Sequence, residues 1–153
     1  MNARLEGNRI PAPALALGVA GLLPFAAAAL AQYVSLPGLA PAFGLQLGIV
    51  YGAIILSFLG GIRWGTAIGP YASSRQALEF PASVLGSLAG LAAIFMPELL
   101  GIGLLISGFL MQALWDVTSV EAGRLPAWFG KLRMGLTAGA VIALIAMLVS
   151  LLV

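Results

Sequence analysis

Five stretches of about 20 mostly apolar residues run the length of this chain, separated by proline, glycine or charged punctuation. No other feature limits its folding as strongly. Helices are expected at about 13–32, 43–66, 81–96, 98–117 and 128–153. Barrel strands are excluded, because the segments lack alternation and are about twice the length of a lipid-facing strand. Of 153 residues, 61% are hydrophobic and 8% charged, against about 25% charged in a soluble domain. Too few charges remain to coat a water-facing surface, so hydrocarbon is the expected solvent. The expected architecture is all-α: one domain over 1–153, a compact bundle of five transmembrane helices.

Charge placement predicts an orientation. Arg4 and Arg9 precede the first span, Arg63 and Arg75 lie near the end of the second, and Arg124, Lys131 and Arg133 flank the start of the fifth. The opposite connections carry no positive charge. The positive-inside rule then puts the N-terminus in the cytoplasm and the C-terminus outside. Trp64, Trp115 and Trp128 map to the same inner interface, where indole rings prefer to sit. The first apolar run, long and interrupted by Pro24, is read as a retained, kinked helix and not as a cleavable secretion signal.

Composition removes much chemistry. Without cysteine there is no disulfide, thiolate nucleophile or iron–sulfur ligand, and without histidine no imidazole-held haem, common metal cluster or serine–histidine catalysis. Seven bases against five acids give only +2, which offers nucleic acid nothing. Intramembrane aspartyl proteolysis needs two acids in the membrane, and only Asp116 comes close. No phosphate-binding loop is present, and five spans do not divide into the two equal halves common in secondary transporters. The expectation is a protein without catalytic activity, cofactor or metal.

The remaining signals concern contact. Gly44, Gly48 and Gly52 recur every four residues, as do Gly61, Gly65 and Gly69, spacing that lets backbones approach in lipid. Gly44, Gly48, Gly52, Gly61 and Gly65 are therefore candidate helix-packing positions, within the bundle or against another protein. Arg63 is 20 residues past Phe43 and Asp116 is 18 past Glu98, on helices running the same way, so at about 1.5 Å per residue they share a level. A buried ion pair between Arg63 and Asp116 is expected. The alternative has Arg63 snorkelling to lipid phosphate beside Trp64, with Asp116 solvated past its helix end. Trp64, Trp115, Trp128, Lys131 and Arg133 are candidate interfacial anchors, with rings at headgroup depth and cations on anionic lipid.

Several segments resemble the transmembrane protein 69 family, small polytopic membrane proteins of unknown function in bacteria and mitochondria. The strongest is YGAIILSFLGGIRWG from Tyr51 to Gly65, supported by PALALGVAGLLPF from Pro13, by Asp116 and by LPAWFGKLRMGLT from Leu125. The resemblance implies a bacterial inner-membrane or mitochondrial inner-membrane location, and no reaction. In the family a histidine often stands where this chain has Arg63, so a role needing a titrating imidazole there does not transfer. Composition, glycine spacing and resemblance together suggest an accessory or assembly subunit of a larger inner-membrane complex, in contact with lipids and other integral subunits. The alternative is a binder or carrier of a lipophilic molecule such as a quinone or lipid, between the second, third and fourth spans with Arg63 as polar handle.

Overall fold

The computed structural model describes residues 9–35, 37–38, 40–69 and 73–153, with side chains from 75 onward in the last stretch. Arg4, used above for orientation, lies outside the described residues. Among the described residues six helices follow in order: α1 (Ala12–Ala20), α2 (Leu23–Leu30), α3 (Pro41–Ile68), α4 (Ser73–Phe95), α5 (Glu98–Glu121) and α6 (Ala127–Ser150). Together α1 and α2 form the first span, and among the described residues five segments are long and apolar enough to cross a membrane.

Local chemistry sets the helix ends. Pro24 lacks the N–H that would continue the ladder, and the chain breaks just before it, at Gly21 and Leu22. The Tyr51 hydroxyl on α3 donates to the Gly21 carbonyl at 3.0 Å, giving the break a partner inside the membrane. Proline also starts α3 at Pro41, and Pro97 and Pro126 stand at the N-caps of α5 and α6. α5 ends in a Schellman turn: Gly123 has φ of 71°, and the Arg124 N–H donates to the Ser119 carbonyl at 2.9 Å. The third span differs from expectation. Its helix begins at Ser73 and carries Pro81 inside, because the missing donor costs one bond that neighbouring turns and helices tolerate.

α3 is central, packed against α2, α4 and α5, while α6 closes the bundle against α5, α2 and α1. The core is Phe25, Leu56, Ile102, Leu105, Phe109 and Leu144, with Met147 filling the hollow over Gly48. Leu17, Phe58, Phe95 and Ile142 point outward, an arrangement suited to hydrocarbon and costly in water. Of the expected packing glycines, Gly44, Gly48 and Gly52 do lie under neighbours: Ala31, Met147 and Leu105 respectively. Gly61 and Gly65 do not, since a side chain there would meet nothing within 4 Å. The tightest approach on that stretch of α3 belongs to Gly60, whose missing methyl makes room for the Ser83 carbonyl of α4. Register explains the shift: a buried stripe advances by three or four residues, and Leu56, Gly60 and Arg63 occupy it while Gly61 has rotated away.

Candidate functional site: a charged layer beside an apolar cavity

Buried stripes with alternating spacings of three and four run along each long helix. On α5 the stripe is Ile102, Leu105, Phe109, Gln112, Asp116 and Ser119; on α6 it is Gly130, Arg133, Thr137, Ala140, Leu144 and Met147. Each begins apolar at one end of the bundle and turns polar at the other. The four helices α3 to α6 each contribute one buried charge: Arg63, Glu79, Asp116 and Arg133, with side chains 1–8% exposed. Arg63 and Asp116 stand five residues before the ends of α3 and α5, and Glu79 and Arg133 six after the starts of α4 and α6. Because these helices alternate in direction, all four charges lie in one layer, about 8 Å inside the same end of the bundle. Two cations and two anions balance it.

Within this layer the expected Arg63–Asp116 pair is absent. Asp116 Oδ2 instead accepts from Arg133 Nε at 2.7 Å, a buried, charge-assisted bond between α5 and α6. Depth alone does not select a partner, since all four charges share it. Adjacency does: the turn at Ala122–Pro126 makes α5 and α6 antiparallel neighbours, with Asp116 opposite Arg133 across the hairpin. The Arg63 guanidinium lies over the Trp115 ring, 4.0 Å from its centroid, a cation–π contact worth about 2 kcal/mol when desolvated. Its Nε has no hydrogen-bond partner. Glu79 approaches Arg75 of its own helix at 3.8 Å and leaves Oε2 unpartnered beside a void of about 20 Å³, room for one water. Just above, Gln112 donates to the Leu59 carbonyl at 3.0 Å, and Ser57 and Ser87 share a bond of 2.8 Å between α3 and α4.

Beside the charged layer, reaching along α6 from Trp128 to Ala140, lies a cavity of about 400 Å³ between the first span, α3 and α6. Its wall is mostly aliphatic and aromatic, with Leu22, Ile55, Phe109 and Leu136 in the interior and the exposed Leu17 and Phe58 on its border. Arg133, Thr137 and Trp128 form part of the same wall. This volume lies within the range of small-molecule sites, where apolar lining and a few polar groups are the rule. It is not where the sequence suggested, between the second, third and fourth spans, and its polar residue is Arg133 and not Arg63. α3 and α4 pack too closely for such a space, through Gly60, Gly86 and Gly90.

The interfacial residues also separate. Trp64 and Lys131 are exposed, and Trp64 meets Phe80 edge to face at 4.8 Å. Trp115 is engaged by Arg63, and Trp128 by the cavity and by Phe129. Arg133 is only 6% exposed, so it anchors to Asp116 and not to lipid phosphate. Glu79, Gln112, Ser119 and Thr137 belong to the layer or its border and were not singled out together from sequence. The signal was present: each continues a buried stripe at helical spacing. Among the described residues no cluster of acids suited to a metal ion occurs.

Residues 10–149 match a family described as protein of unknown function (DUF3429). The chain belongs to this DUF3429 family. It is also 37% identical over 146 residues to Transmembrane protein 69 of Xenopus tropicalis, covering 92% of this chain and 55% of that protein. The chain thus spans about half the length of the curated relative it matches. No solved structure matches. The DUF3429 match takes in the charged layer and the cavity whole, and it comes without an assigned reaction.

Proposed function

We propose that the protein binds a lipophilic small molecule within the membrane, holding it between the first span, α3 and α6, without catalysing a reaction on it. The observation that carries this reading is the cavity of about 400 Å³, mostly apolar, with the buried polar residues Arg133 and Thr137 in its α6 wall. Where α3 meets α4, glycines bring the two helices to backbone contact, whereas the first span, α3 and α6 leave this space among them. The proposed location is a bacterial inner membrane, or the mitochondrial inner membrane in a eukaryote. The proposed orientation has the charged layer on the cytoplasmic or matrix side, supported by Arg9, Arg75, Arg124 and Lys131 at that end.

The test is purification in mild detergent, followed by organic extraction and mass spectrometry. One dominant lipophile near one per chain is expected, and Ala14→Phe, which fills the cavity from α1, should deplete it several-fold. A protein that carries only the bulk lipid mixture, unchanged by Ala14→Phe, would sink the reading.

A second reading, the accessory subunit of a larger membrane complex, is favoured by one observation. Gly61, Trp64, Gly65 and Ile68 line an exposed face of α3 where Gly61 and Gly65 meet nothing. Small residues beside large ones suit a partner helix. Co-migration with a large assembly, lost in Gly61→Leu, would support it.

A further inference from the structure

The polar border of the cavity has a specific composition. Arg133 and Thr137 are both more than nine-tenths buried and both form part of the cavity wall. One turn apart on α6, each carries a buried donor atom without a partner: Nη2 of Arg133 and the Thr137 hydroxyl. Arg133 already spends Nε on Asp116, so its charge is answered within the protein. The layer as a whole, Arg63 and Arg133 against Glu79 and Asp116, sums to zero. Both atoms are covered within the chain, so a turn of each side chain toward the cavity brings it to a ligand acceptor, relieving the cost of an unpaired buried donor.

From this we infer that the ligand is a neutral lipophile with a hydrogen-bond-accepting oxygen, a carbonyl above all, seated toward Arg133 and Thr137 with its apolar body along the cavity. A fatty-acid anion fits less well, because the Arg133 charge it would meet is already answered by Asp116, whose carboxylate would repel it. A plain hydrocarbon leaves both donors unanswered. An ester carbonyl of a bilayer lipid and the carbonyl of a free ketone or quinone share this head chemistry, and the mass of the extracted molecule tells them apart. The inference rests on the cavity-binding reading above.

The experiment uses the full chain in nanodiscs with decyl-benzoquinone as probe, since quinones quench tryptophan emission and Trp128 stands in the cavity wall. Saturable quenching, diminished in Trp128→Phe, is expected. Methyl undecanoate should displace the probe, whereas undecane and ionised undecanoate at matched mole fraction should not. Thr137→Val keeps the shape, removes the hydroxyl and should weaken the probe about fivefold, the equivalent of one hydrogen bond. It leaves the Asp116–Arg133 pair in place, so the variant should fold, which its thermal midpoint verifies. Equal displacement by undecane with no effect of Thr137→Val would overturn the head-group inference while leaving cavity binding intact. Stronger displacement by undecanoate would overturn the neutral head. Absence of saturable quenching would overturn the cavity-binding reading itself.

Discussion

At the scale of single residues, the decisive fact is which cation answers Asp116. A carboxylate 1% exposed among helices has no water to fall back on, so removing its partner strands a charge. Asp116→Asn leaves Arg133 stranded and should lower stability by about 3–5 kcal/mol, read from denaturant titration in detergent by helix content. Exchanging the pair, Asp116→Arg with Arg133→Asp, should recover part of that loss. Exchanging Arg63 with Asp116 should recover none, and recovery there would mean that Arg63 is the working partner. Trp115→Leu removes the ring beneath Arg63 and should cost about 2 kcal/mol in the same assay. Tyr51→Phe, which removes the donor to the Gly21 carbonyl, should cost about 1 kcal/mol, since the break in the first span then loses its partner.

At the scale of elements, glycine spacing and helix register give different information. A four-residue glycine repeat drifts around a helix, so the sequence identifies a helix rich in close-approach positions without identifying the side that uses them. Gly60 and Gly61 make the distinction testable. Gly60→Ala sets a methyl against the Ser83 carbonyl and should destabilise by about 1–3 kcal/mol. Gly61→Ala meets nothing in the chain and should be neutral or stabilising by up to about 1 kcal/mol, through helix propensity. Similar thermal midpoints for the two variants would refute the packing of α3 on α4. The same register logic explains Arg133. Beside Trp128, Phe129 and Lys131 it reads as an interfacial cation, yet three residues after Gly130 and four before Thr137 it continues the stripe that becomes Ala140, Leu144 and Met147. Neighbours in sequence suggested lipid; position on the helix put the side chain inside.

At the scale of the whole molecule, an odd number of spans predicts that Arg9 and Val153 face opposite sides of the membrane. The protein has no cysteine, so single introduced thiols report sidedness cleanly. Arg75→Cys and Lys131→Cys should react with an impermeant maleimide from one face, and Phe95→Cys and Val153→Cys from the other. Labelling of Val153→Cys and Lys131→Cys from the same face would refute the fold's topology. The bundle also has two unlike sides: α3 and α4 meet at backbone distance, whereas the first span meets α6 through leucine side chains, Leu136 over Gly18 and Leu22 over Gly139, with the cavity beside them. The interruption at Gly21 and Leu22 falls on that second side, and both residues line the cavity.

Hydropathy and punctuation in the sequence sufficed for the solvent, the five spans and the common end at which the charges gather, because hydrocarbon demands long uninterrupted helices and tolerates charge only near their ends. The one span misplaced at its start, α4, was misread at a proline, which the surrounding membrane bundle accommodates inside a helix. The pairing of Asp116 with Arg133, the stacking of Arg63 on Trp115, the use of Gly60 in place of Gly61 and the position of the cavity were decided only in three dimensions. Each depends on which helices are neighbours and on how each is rotated about its axis, and a difference of one residue, about 100°, turns a side chain from the core to the lipid.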